Sequence, residues 1–222
     1  MTEVKQQLVL IYLILGTVFL SFFLPVDWQS QARILRDCVI FAWAVGIVNL
    51  AYLGGGLNRL LGIRPRSMTG VVGIALAPLL HRSAGHLIAN TLPFVIFGWM
   101  VMMIQGAQHF YAVSLLIVLI SGVGTWLIGR QDVVHLGASG LMFGYLGYLI
   151  TRGQESVLLM ALGLCFVVML LYGDRFWTLM PDQDDTALSW ESHLFGFLGG
   201  VIAGYSPIAL EQISAWLGSY LG

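Results

Sequence analysis

Seven apolar runs, each 17 to 22 residues long, leave this 222-residue chain few ways to fold. They are Leu8–Leu24, Ile34–Leu53, Ser83–Ile104, Phe110–Gly129, Val133–Ile150, Ser156–Gly173 and Ser192–Leu210. A helix needs about 20 apolar residues to cross a bilayer, within a range of about 17 to 25. Inside hydrocarbon every backbone N–H and C=O must be paired within the segment, which leaves the helix as the form for such runs. The composition agrees: 58% of residues are hydrophobic and 9% are charged, against about 25% charged in soluble domains. The fold class expected is all-α, a polytopic membrane helix bundle with the bilayer as its solvent.

The connections carry less information. Arg36 and Asp37 near the start of the second run are placed to snorkel to the interface. Gly70–Leu80 is apolar but too short to span, and it reads as a half-inserted element of a long loop. Trp28, Trp177, Trp190 and Trp216 fall near run ends, where aromatic belts sit. From Glu211 onward, Ile213, Trp216, Leu217 and Tyr220 share one helical face, the pattern of a short helix lying on the membrane. The first run lacks a small-residue cleavage site and is followed by "PVDW", so it reads as a retained span. Domains follow as 1–33 for the extra span and loop, 34–210 for the core and 211–222 for an interfacial tail. A net charge of −1 without a basic patch argues against a nucleic-acid partner. Cys38 and Cys165 both sit inside apolar runs as packing residues, and no Cys/His cluster suggests a metal or cofactor.

Polar groups inside spans are functional candidates by default. In "HLIAN", His86 and Asn90 lie four apart on one helical face. The fifth run carries Ser139 and the seventh carries His193. Each has a plain structural reading, as an interhelical hydrogen bond or as packing material. Together, on separate helices, they supply a nucleophile, a base and spare hydrogen-bond donors. Glycines recur beside both: Gly140, Gly144 and Gly147 after the serine; Gly196, Gly200 and Ala203 after the histidine. Small residues at this spacing let helices approach closely. If the two stripes face each other, Ser139 and His193 come within reach.

Three motifs in this order, "HRSAGHLIAN" (81–90), "GASG" (137–140) and "HLFGFLGG" from His193, resemble the rhomboid intramembrane serine proteases. "LNRLLGIRPRS" (57–67) is similar to a bacterial branch of that family. The resemblance runs from about Ile34 to Tyr205. It implies a six-span core, with Leu8–Leu24 as an added N-terminal span, in a bacterial plasma membrane. It implies that Ser139 is the nucleophile, that His193 is its base, and that His86 and Asn90 bind the oxyanion. His81 matches a further family histidine near a water-accessible cavity. Gly196 and Gly200 match glycines that seat the last span on the serine-bearing one. Gly137, with Ala138, lets the chain enter the fifth helix, and Phe143 is placed to pack on His193. Some relatives carry a Trp-Arg pair in the long loop, and this loop has no Trp.

The resemblance implies hydrolysis of peptide bonds in transmembrane helices of other membrane proteins by a Ser/His dyad. Glu191, two residues from His193, points elsewhere on a helix and completes no triad. The acidic segment Pro181–Asp185 is expected over the mouth of the site. Two rival classes stand beside this reading. A metalloprotease has neither HExxH nor a paired-glutamate motif here. An inactive scaffold that binds transmembrane helices typically lacks Ser or His, and both are present. Arg59, Arg64, Arg66 and Arg82 share the long loop, so the positive-inside rule taken alone puts that loop in the cytoplasm. The resemblance places it outside, and that orientation is the one expected.

Overall fold

A computed structural model describes residues 26–153 and 189–221. Of the sequence expectations, Leu8–Leu24, Ser156–Gly173, Cys165, Trp177 and Pro181–Asp185 lie outside the described residues. The first helix described, α1 (Val26–Ile47), runs on into a π-turn, Val48–Tyr52. The second run, expected from Ile34, is helical from Val26, so Arg36 lies mid-helix, where it pairs with the adjacent Asp37 at 2.9 Å. Buried Asn49 turns the chain: its Nδ2 donates to Asn58 Oδ1 at 2.7 Å and its Oδ1 accepts from Leu57 N at 3.0 Å. Gly54 and Gly55, at φ 54° and 76°, complete the reversal in the left-handed region that favours glycine.

The long loop then packs on itself as α2 (Gly56–Leu61) and α3 (Gly73–Leu76), with 3₁₀ turns at Met68–Gly70 and Ala77–Leu79. Its arginines tie down backbone carbonyls. Arg66 donates to Leu127 O and Gly129 O, Arg82 to Val134 O, and Arg64 to Arg59 O. From across the loop, Trp126 Nε1 donates to Ser67 O at 2.9 Å.

The third and fourth apolar runs form one continuous element, α4 (Ala84–Ile128), 45 residues long. Its N-terminus is capped by the Ser83 side chain, which accepts from His86 N. A straight helix of that length reaches about 67 Å at 1.5 Å per residue, over twice a bilayer core. Gly106, at φ 81° and ψ −179°, breaks it into two limbs. The Phe94 and Phe110 ring centroids lie 6.4 Å apart, although 16 helical residues span about 24 Å, so the limbs fold back on each other.

Two later run boundaries also differ from the sequence reading. The fifth, expected from Val133 to Ile150, is helical only over α5 (Ser139–Arg152). Val133–Leu136 is apolar but not helical, because His135 N and O both pair with Ile63 at 2.9 Å. The seventh, expected to reach Leu210, ends as α6 (Trp190–Tyr205). Pro207 lacks an N–H and pushes the preceding residue off helical geometry; Ser206 sits at φ −118°, ψ 58°. The next helix, α7 (Pro207–Leu221), leaves at 94°. The tail helix thus starts at Pro207, and its apolar face is divided. Ile213 and Leu217 pack on the core, while Trp216 and Tyr220 are exposed.

Among the described residues, and with the two limbs of α4 counted as one element, two helices are long and apolar enough to cross a membrane, or three if the bent α6–α7 pair counts as one. The core lies where α4, α5 and α6 meet, around Val113, Ile117, Tyr145, Tyr148 and Ala203, all fully buried. The two tyrosines keep their hydroxyls paired, Tyr145 with Ser114 at 2.7 Å and Tyr148 with Gln105 at 2.8 Å. A buried phenol needs such a partner.

Candidate active site

The site begins as a packing problem. Helices carrying ordinary side chains stay 8–10 Å apart; glycine lets them come closer. A Cβ built on Gly196 would lie 2.0 Å from Gly140 O, and one on Gly200 1.8 Å from Gly144 O. Gly147 likewise faces Phe197 O. The two stripes read from the sequence are therefore in direct backbone contact.

This contact sets the first turn of α5 against the first turn of α6. Ser139 is the first residue of α5, and His193 lies in α6 one turn after its N-cap, Ser189. His193 Nε2 stands 2.8 Å from Ser139 Oγ. The Phe143 ring, one turn below Ser139, stacks on the imidazole at 4.5 Å between centroids and 22° between planes. His193 is 6% exposed, and its Nδ1 is buried with no hydrogen-bond partner among the described residues. Glu191 turns to Arg130 instead.

Gly137 enters α5 at φ 113°, and a Cβ there would lie 2.8 Å from His86 Cε1. Both its conformation and its space exclude a side chain. The His86 ring and the Asn90 amide therefore sit against the backbone two residues before Ser139. Asn90 is buried, and its Nδ2 donates to His86 O at 3.0 Å. The His81 ring meets His86 edge-on at 5.2 Å. His81 precedes α4, and burial, with the His86 ring beside it, pushes its pKa down to about 3. It is thus neutral at physiological pH. A cavity of about 220 Å³ with apolar walls reaches this point, lined among others by Trp43, His81, Asn90, Phe94 and Ala138.

Beside the serine and histidine lies a polar cluster to which the sequence reading gave no role. His135 Nδ1 meets Ser189 Oγ at 2.6 Å, and its Nε2 meets Arg130 O at 3.1 Å. Arg130 Nε and its backbone N both donate to Glu191 Oε1, at 2.9 and 3.2 Å. One signal was present in the sequence: His135 and Ser189 stand four residues before Ser139 and His193.

A helical membrane protein with a serine and a histidine held together by two interlocked glycine stripes defines a narrow class. A profile of the rhomboid domain matches residues 69–209. An uncharacterized protein of Mycobacterium tuberculosis is 36% identical over 191 residues, 83% of this chain and 78% of its own length. One of Mycobacterium leprae is 33% identical over 163 residues, 68% of this chain and 62% of its own. The Bacillus subtilis protein named "Putative rhomboid protease YdcA" is 28% identical over 142 residues, 60% of this chain and 66% of its own. The chain belongs to the rhomboid family.

Proposed function

We propose that this chain is an intramembrane serine endopeptidase that hydrolyses peptide bonds in transmembrane helices of other membrane proteins. The observation that carries the reading is the 2.8 Å approach of His193 Nε2 to Ser139 Oγ across two helices. That is hydrogen-bond distance for a base and the hydroxyl it activates. Family membership supports the class of reaction.

The proposed reaction runs in four steps. Nε2 takes the Oγ proton as Oγ attacks the substrate carbonyl carbon. The oxyanion forms at the N-terminus of α5, where first-turn N–H groups have no helical acceptor and the helix dipole favours negative charge. His86 and Asn90, beside Gly137, are the side chains placed to donate to it. His193 returns the proton to the leaving amine, and water then hydrolyses the acyl-serine. Phe143 holds the imidazole plane in place of a third residue. A substrate helix hides its carbonyls in hydrogen bonds, so cut sites should carry small or helix-weakening residues.

The full chain would cross a bacterial plasma membrane six times within the rhomboid core, with Leu8–Leu24 as an added span. The long loop would face away from the cytoplasm. Arg64, Arg66 and Arg82 bind loop and helix-end carbonyls rather than projecting as a free basic patch, which weakens the argument from arginine count. The test is cleavage of a single-span model substrate in reconstituted bilayers. The wild type should cut it, and folded Ser139→Ala and His193→Ala should not. Cleavage by folded Ser139→Ala, or binding without cleavage by the wild type, overturns the proposal.

A further inference from the structure

Two hydrogen bonds cross between the α5 and α6 segments, and they share one offset. Ser139 meets His193 at 2.8 Å, and His135 meets Ser189 at 2.6 Å, each pair 54 residues apart in sequence. The second bond lies one turn above the first. Below them lie the glycine contacts, Gly140 with Gly196 and Gly144 with Gly200. The interface is a ladder in which the Ser139–His193 pair is one rung.

The upper rung is polar and buried. His135 is fully buried and Ser189 is 6% exposed. Arg130 O can only accept, so His135 Nε2 carries the proton and Nδ1 accepts from the Ser189 hydroxyl. Ser189 Oγ in turn accepts from Ser192 N at 3.4 Å. The chain of bonds has one direction, from the first turn of α6 through His135 to the end of α4. The Glu191 side chain, 1% exposed, closes the loop by binding Arg130 through two donors. Three segments are thereby joined: the end of α4, the approach to α5 and the start of α6. An ion pair that buries its carboxylate is poor evidence of net stability, so another reason for its presence is worth seeking.

We propose that His135, Ser189, Glu191 and Arg130 are positioning residues that set the register in which α5 and α6 meet, and so hold Ser139 and His193 at reacting distance. The glycine stripes set how close the helices come. They do not fix sliding along the axis or rotation, because glycine offers no knob. The directional rung above the dyad supplies that constraint. This inference rests on the Ser139/His193 reading.

The test is the kinetic split in full-length, reconstituted protein, with thermal unfolding recorded for each variant. Ser189→Ala removes the rung and the helix cap together; Ser189→Thr keeps a hydroxyl for both; Glu191→Gln keeps the shape and removes the charge. A misplacement of order 1 Å costs up to about 10² in rate, so Ser189→Ala and Glu191→Gln should lose about 10- to 100-fold in kcat. KM should stay unchanged, and Ser189→Thr should recover most of the loss. Wild-type kcat in folded Ser189→Ala or Glu191→Gln overturns the inference. So does a kcat loss that Ser189→Thr fails to restore, or one that appears equally in KM. Ser139→Ala is run beside them: if it still cuts, the dyad reading fails and this inference falls with it. If it is dead while Ser189→Ala is fully active, only the positioning role is lost.

Discussion

Gly200→Ala adds a single methyl group to α6 and tests whether backbone contact between α5 and α6 sets the chemistry. The added Cβ would stand 1.8 Å from Gly144 O, 2.7 Å from Gly144 C and 2.8 Å from Tyr148 N. Ordinary contact begins at 3.4 Å, so the helices must part by about 1.6 Å, since a ridge of backbone cannot rotate away as a side chain can. Overpacking of this kind costs about 1–3 kcal/mol in stability. The kinetic cost should be larger. If even half the separation reaches Ser139 and His193, their 2.8 Å contact opens to about 3.6 Å, beyond a hydrogen bond. A displacement near 1 Å can cost about 10² in rate. Gly199→Ala on the same helix is the graded control, for its Cβ would meet Ile120 Cβ at 3.2 Å and Ile117 Cα at 3.3 Å. Single-span substrate cleavage and thermal unfolding are measured on both variants. Gly200→Ala should lose about a hundredfold in kcat with a lower Tm, and Gly199→Ala should lose little. Wild-type turnover in Gly200→Ala, or equal losses in the two variants, would refute the reasoning.

Two further outcomes follow from the site. Removing one oxyanion donor from a protease costs on the order of 10²–10³ in rate; on the proposed reading the first-turn amides of α5 share the task, so Asn90→Ala and His86→Ala should each be impaired but active, the double variant far worse, with the loss in kcat rather than KM. His81 is held neutral down to about pH 3, whereas an unfolded histidine takes up its proton near 6.5; the unfolded chain binds more protons between those values, so stability falls as pH drops through that window by at most about 1.4 kcal/mol per unit. His81→Gln should flatten that fall in Tm between pH 7 and pH 4, and an unchanged slope would show that His81 takes up its proton alike in the folded and unfolded chains.

Much of the site was legible because its signals are local. His86 and Asn90 share a face by their spacing, and the glycines after Ser139 and His193 announce close helix contact at three- and four-residue intervals. The approach of Ser139 to His193 needed only the assumption that the stripes face each other. What failed to show was decided at long range. Val133–Leu136 reads as helix because apolar periodicity says nothing of Ile63, 72 residues before His135, whose backbone captures it. The rung between His135 and Ser189 likewise joins residues 54 apart. The shortening of the last run is different, since Pro207 forbids continuation and was in plain view. Hydropathy outweighed it in the sequence reading, as the apolar residues continue to Leu210.

The central claim is that Ser139 is a nucleophile activated by His193. An alkyl fluorophosphonate tests it directly, because attack by Oγ forms a P–O bond, expels fluoride and leaves a stable mass on the attacking residue. The reconstituted wild type and His193→Ala are treated alike, and the modified peptide is located by mass spectrometry. The account predicts a single adduct on Ser139 in the wild type, and none above background in His193→Ala. An adduct on another residue, no adduct on folded wild type, or equal labelling of Ser139 without His193 would contradict it.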